Sequence, residues 1–555
     1  MDPRSPERGQ YAFVQALIRE VAYSTLALRD RRERHRAAAR YFESIGDEEL
    51  VGAVAAHYVA AYRSSAEGPE ADALAAQARV SLTAAGARAE RLGALDQAHS
   101  FFLQAVDITA DPLERAGLLE RAAVAAIRVQ RAETAIPDLE AAFSTLDEAG
   151  DRSGQARVAS WIGSAMAAAR RRDEAVAYLA PMARRFDDLG NDDPNLVSLL
   201  QQYATVSFLV GDYPTALQTA DRVLAAAERS SDARTAAEAL RVKGSSAFNL
   251  GRMWEATALL LGAQRVAQEA GLQDAELRTV AMLASVLALD SPAAALAQER
   301  DAIDLSRRLG QRSQEIIITQ NASEDARRVG EWAWAVEAIE FISQYDVDPA
   351  IHLANRIQLA LFKAWRGTLD AAELAEIKAS IGMIEDRDVE SSIDDLDGVL
   401  ATVEGRFSDA AAAWLKVAGQ SDLNAPYTLP RAGRAAVLGG DPALARDALD
   451  RLAALGSRGR SIDADRTTVR AGIAALEGDR EAALAGYRAA AQAYRELGLA
   501  FDEALLGIEA ARLVGAGDPE VAAWVETARA TFARLGATPL LGALERAASR
   551  TAVTR

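Results

Sequence analysis

The stretch VGDYPTAL, Val210 to Leu217, sets a glycine, an aromatic residue and an alanine within six positions. Gly211 precedes Ala216 by five residues, and the same offset returns along the chain. It recurs as Gly93 and Ala98, Gly251 and Ala256, Gly330 and Ala335, Gly367 and Ala372, and Gly405 and Ala410. Gly440 and Ala445, Gly478 and Ala483, and Gly517 and Ala522 continue it. Three further copies keep the alanine without the glycine, at Ala135, Ala175 and Ala295. The twelve alanines follow one another at intervals of 35 to 41 residues, about 39 on average, which marks a repeat array. A second series of stops lies about half a period away, at Gly150, Gly190, Ser231, Gly271 and Gly310. Two helices per repeat account for both series.

Each position has a physical reason. A glycine ends a helix well because a left-handed residue after the last turn is cheap only for glycine. Two residues on, Leu95, Tyr213, Met253, Trp332, Leu369 and Phe407 are apolar and suited to plug the corner where the chain reverses. Pro214 fits a first helical turn, and nearby Asp or Glu complements the positive end of the helix dipole. The alanine lets the second helix approach the first closely.

The sequence Gly-x-aromatic-x-x-Ala is met in full by Gly211, Tyr213 and Ala216, by Gly330, Trp332 and Ala335, and by Gly405, Phe407 and Ala410. In this the chain resembles the tetratricopeptide repeat. The family's unit is about 34 residues, so the longer period here implies lengthened helices or loops, and no peptide-binding position is carried over. The resemblance implies an all-α fold: a right-handed α-solenoid of about twelve helix-turn-helix repeats over residues 71–555, with a concave face.

Composition agrees. With 555 residues the chain is too long for one compact core, and half of it is apolar. Its formal net charge of −18 argues against a nucleic-acid partner, whose phosphates are bound by neutralising Lys and Arg, and against adsorption to an anionic membrane. No cysteine is present, which excludes disulfides, thiolate metal sites and cysteine nucleophiles. The polar start MDPRSPERGQ lacks the apolar segment of a secretory signal, and no long apolar run is free of charge. A cytoplasmic location is the expectation, with residues 1–10 disordered.

Residues 11–62 do not share the register. Their apolar spacing predicts helices over about Val14–Leu28, Arg31–Ile45 and Glu48–Ala61, followed by the linker-like RSSAEGPEAD. Phe13, the run Ala16-Leu17-Ile18-Arg19, Val21-Ala22-Tyr23, the arginine-rich Arg29 to Arg36 with His35, and Ala56-His57-Tyr58 carry a second resemblance. They look like the junction that follows the ATPase in bacterial signalling proteins. There a class III adenylate/guanylate cyclase or another effector precedes an AAA/STAND-type ATPase and a tetratricopeptide array. Gln15 departs from the histidine usual in that family. The segment Phe532 to Leu544 resembles the end of such arrays.

No G-x-x-x-x-G-K-[ST] loop, Ser/His/Asp set or G-x-S-x-G elbow occurs, so no enzyme activity, cofactor or metal is expected of this chain. The four histidines, His35, His57, His99 and His352, show no ligand spacing with acidic residues. The acidic runs Asp187-Asp188, Asp192-Asp193 and Asp394-Asp395-Leu396-Asp397 read as solvated turns and helix starts, since the last places Gly405 where a calcium loop needs glutamate. The basic run Arg29 to Arg40 reads as a solvated helix face or a dock for an ATPase domain. Trp332 holds a packing position, whereas Trp254, Trp334 and Trp365 are the candidates for an aromatic ligand groove in the middle of the array.

The expected function is a non-catalytic interaction or sensor scaffold: the regulatory C-terminal arm, or a fragment, of a cyclase/ATPase signalling protein. It would bind a protein partner or small ligand on its concave face and dock an ATPase or cyclase domain at its N-terminal end. A stand-alone adaptor for protein partners and the sensing arm of an ATP-dependent transcription regulator are the alternatives.

Overall fold

The computed structural model describes residues 16–129, 131–381, 387–420 and 424–550. The expected disordered start at residues 1–10 lies outside them, as do Phe13 and Gln15. The fold is all-α, a tetratricopeptide-like succession of antiparallel helix pairs, with no strand among the described residues. No helix among them is long and apolar enough to cross a membrane. The chain divides into two compact units, and the boundary falls between Asp212 and Tyr213, inside the VGDYPTAL stretch.

The first unit opens with helices Ala16–Ser24, Leu28–Ile45 and Val51–Arg63, the last entered through a 3-10 turn at Glu48–Leu50. The first ends before the expected Leu28. Ser24 and Thr25 turn their hydroxyls back onto the carbonyls of Val21 and Ala22, at 2.7 Å each, and the Arg31 guanidinium takes the carbonyls of Ser24 and Leu26. Those carbonyls are thus satisfied without another helical turn. Beyond Pro69–Arg91 the pairs follow the repeat, from Leu95–Asp107 to Pro194–Leu209.

The glycine-to-alanine joint behaves as its chemistry requires. Gly211 has φ 85°, its N–H bonds the Phe208 carbonyl at 3.1 Å, and the Asp212 N–H reaches back to Ser207 at 2.9 Å. Ten of the twelve repeat alanines, from Ala98 to Ala483, are fully buried. Asp441, Asp479 and Asp518 cap the helices that follow their turns by accepting backbone N–H bonds.

Two alanines depart. Ala372 is exposed because its helix, Ala371–Ile381, buries only Ile377. Ala522 is exposed because the turn before it is longer: Ala511–Gly515 widens into a π-turn, and Gly515, not Gly517, takes the positive φ. The buried residue of that helix start becomes Val521.

In the second unit the later repeats return against the middle ones. Helix Gln273–Asp290 packs on Arg460–Leu476, Arg312–Val329 on Ala500–Ala510, and Pro349–Arg366 on Thr538–Arg550. Gly459 permits one of these contacts, since a Cβ there would stand 2.2 Å from the Leu289 carbonyl oxygen. Trp332 lies in the seam, 1 % exposed, edge-on to Phe362 and Phe501, with its indole N–H on the Arg327 carbonyl. Inner faces that an open solenoid would present to solvent therefore meet one another within this unit.

Candidate functional site

The faces that meet in the second unit are lined by charge. Arg328, 5 % exposed, holds three helices together. Its Nε donates to Asp502 at 2.6 Å, its Nη1 to Ser461 at 2.7 Å, and its Nη2 to both oxygens of Asp465 at 3.1 Å. The Tyr494 hydroxyl donates to Asp465 at 2.8 Å. One turn along its own helix, Glu324 takes Arg327 at 2.6 and 2.9 Å and also Arg431. Burial would raise the Glu324 pKa, but Arg327 and Arg431 overcome it and hold the carboxyl far below its ordinary value. Arg431 continues to Asp395 at 3.0 Å, and Arg434, a helical turn further, pairs with Glu509.

Two cavities adjoin this network and share Glu324, Tyr427 and Arg431 in their walls. The first is mostly apolar: Trp365, Phe407, Trp414, Leu505, Ile508 and Leu540 face it, with Arg434 and Glu509 among its polar lining. The second is more polar and is acidic, with Glu299, Asp325 and Asp395 in its wall. Burial, and then the neighbouring carboxylate of each, raise the pKa values of Glu299 and Asp325 well above the ordinary range.

The three tryptophans named from the sequence do not share a cavity among those described. Trp365 is buried and lines the apolar one. Trp334 is half-buried beneath the Arg300 guanidinium, 4.3 Å from its ring centre, on shallower clefts. Trp254 is 91 % exposed.

Asp394 and Asp395, expected as solvated, stand within the helix Arg387–Val403 and are engaged. Lys416 and Gln420 reach Asp394 at 2.9 and 3.0 Å, while the Trp414 indole N–H and Arg431 reach Asp395. The expectation fails because the two helices that follow, Phe407–Gln420 and Ala425–Gly439, supply donors that composition alone does not reveal. Asp193 does cap a helix, accepting from the Asn195 and Leu196 N–H groups.

Arg328, Arg431, Arg434 and Glu509 were not singled out by sequence. A signal existed in PRAGRAAVLGG, where Arg431 and Arg434 lie three apart among small apolar residues on a helix that is otherwise core. In the first unit the fold joins His35 to His57, whose Nδ1 atoms lie 2.9 Å apart, with the Tyr23 hydroxyl on His35 Nε2 at 2.9 Å. Residues 22 positions apart offered no ligand spacing. No group of three or more metal-binding side chains occurs among the described residues.

No protein-family model matches the chain, and no curated protein does. Among solved structures it is similar to a Rap protein complexed with competence and sporulation factor, at 12% identity over 70% of this chain and 99% of that one, with a TM-score of 0.42. It is also similar to a STAND signal-transduction ATPase with a tetratricopeptide repeat sensor, PH0952 from Pyrococcus horikoshii. That match has 14% identity over 70% of this chain and 57% of the other, with a TM-score of 0.43. A third is BtubC from P. vanneervenii, at 16% identity over 44% of this chain and 93% of that one, with a TM-score of 0.31.

Proposed function

We propose that this chain is a non-catalytic regulatory arm that binds a ligand within its second unit and passes occupancy to a neighbouring signalling domain. The observation that carries the reading is the seam itself. Arg328, Arg431 and Arg434 tie helices far apart in sequence around a cavity with an apolar wall. Buried ion pairs contribute little net stability compared with apolar packing. Their geometric precision suits an element with two packings, one of which a ligand favours. The junction at residues 11–62 adds the resemblance to the segment after an AAA/STAND-type ATPase, and so makes a cyclase or ATPase the domain addressed.

The test has two parts. A cyclase or ATPase module encoded in frame with this chain, or beside it, is expected in the genome. Adding the purified chain to that module is expected to change its nucleotide turnover, while the chain alone turns over neither ATP nor GTP. Turnover unaltered by the chain rejects the regulatory reading, and saturable hydrolysis by the chain alone rejects the non-catalytic one.

A further inference from the structure

The apolar cavity of the second unit has unfinished hydrogen bonding in its wall. Arg434 is 8 % exposed and pairs with Glu509, yet its Nη2 has no partner. Glu509 is 1 % exposed, and its Oε2 is likewise unpartnered. Trp365, 3 % exposed, leaves its indole Nε1 unpartnered on the same cavity. Buried donors and acceptors without partners are uncommon, and each is unfavourable unless something completes it. Here two donors and one acceptor line a single space, and Phe407, Trp414, Leu438, Leu505, Ile508 and Leu540 form the apolar part of its wall.

Charge narrows the ligand further. Arg327, Arg328, Arg431 and Arg434 face Glu324, Asp465, Asp502 and Glu509 around the cavity, so the formal charges balance. A charged head group would lose its hydration and find no counter-charge left over. A neutral head that offers an acceptor beside a donor meets what is missing. Its carbonyl oxygen accepts from Arg434 or Trp365, and its N–H or O–H donates to Glu509. The apolar wall then requires an apolar body.

We infer that the cavity between Trp365, Trp414 and Arg434 binds a small neutral amphipath, an apolar chain or ring system carrying a carboxamide-type head. This rests on the reading of the second unit as a ligand-binding arm and names the chemistry of its ligand.

The experiment uses the purified 555-residue chain and a head-group series on one alkyl body: decanamide, decanoate, decylamine and decane. Each is titrated against the chain by displacement of the neutral fluorophore N-phenyl-1-naphthylamine and by intrinsic tryptophan emission. Decanamide is expected to bind at least about tenfold more tightly than each of the others, since only it satisfies both donor and acceptor. Ala543→Phe, on the helix Thr538–Arg550, fills the cavity and is expected to abolish binding without lowering the melting temperature. Trp365→Phe keeps an aromatic ring, smaller than the indole, and removes the donor, with an expected loss of about three- to tenfold for decanamide and a smaller one for decane.

Equal binding of decanamide and decane, preference for a charged head, no binding at all, or unchanged binding in both variants overturns the inference. The measurement needs no partner domain. A negative result alongside altered turnover of the signalling module therefore removes the ligand assignment alone, whereas binding without altered turnover removes only the regulatory reading.

Discussion

Arg328 and Asp502 are 174 residues apart in the chain and 2.6 Å apart in the fold. Their contact, with the bond from Arg328 to Asp465, sets the closure of the second unit. Each partner is almost wholly withdrawn from water. Removing the cation while leaving two buried carboxylates is expected to destabilise by about 3–5 kcal/mol. Arg328→Met should therefore lower the denaturant midpoint strongly and raise amide exchange in helices Arg312–Val329, Arg460–Leu476 and Ala500–Ala510. Arg328→Lys should also destabilise, because an ammonium cannot reproduce a planar fork reaching Asp502, Ser461 and Asp465. The exposed pair Arg529 and Glu545 is the control, and Arg529→Met should leave the midpoint unchanged. Equal midpoints for Arg328→Met and the unaltered chain would show that the seam does not depend on this charge.

Ala216 tests the joint from which the repeat was read. It is fully buried at the start of the helix Tyr213–Ser230. Ala216→Leu adds three carbons where no space is left, and the expected loss is about 1–3 kcal/mol. Ala372→Leu places the same change on an exposed alanine of the same periodic series, where no loss is expected. Thermal melts of the two variants distinguish a packing role from a mere sequence period. Equal melting temperatures would mean that the alanine period does not report close packing at Ala216.

The contrast between Ala216 and Ala372 also shows what was legible beforehand. A helix pair is a local object, so its stop, its corner residue and its small contact residue are written within six positions. The period then counts the repeats. Ala522 escaped because two extra residues in its turn moved the left-handed position to Gly515, and a fixed offset cannot see a lengthened loop. The seam was less legible for a different reason. Nothing near Arg328 in sequence announces Asp465 or Asp502, since those contacts depend on small angles between successive helices accumulated over several repeats. Trp365 was named for its aromaticity, but its relevance to the cavity comes from the unpartnered indole N–H and from Arg434.

Arg170 supplies a case in which the repeat lacks its glycine. It has φ 63° at the end of the helix Arg152–Ala168, in the left-handed region that Gly211 occupies in its own copy. A Cβ in that conformation is unfavourable by about 1–2 kcal/mol, and the greater freedom of glycine in the unfolded chain offsets about half of the gain. Arg170→Gly is therefore expected to raise stability by up to about 1 kcal/mol, measured by chemical denaturation. A loss on substitution would mean that the interactions of the Arg170 side chain outweigh its backbone strain.

The histidine pair predicts a pH dependence confined to the first unit. The Nδ1 atoms of His35 and His57 are 2.9 Å apart, so one must carry the proton that the other accepts. Phe42 stacks on His57, and the Tyr23 hydroxyl closes the far side of His35. Burial lowers the pKa of both rings, and the charge of His57 lowers that of His35 further. The unfolded chain therefore binds protons more readily than the folded one. Stability from the pair is fully present above the ordinary value of 6.5 and declines as the pH falls through it towards the lower folded values. Melting followed between about pH 8 and pH 5 should fall on the acid side, with exchange rising first in helices Leu28–Ile45 and Val51–Arg63. His57→Phe removes one titrating ring, leaves His35 without a like-charged neighbour and should flatten that slope. An unchanged slope in His57→Phe would assign the acid sensitivity to other groups.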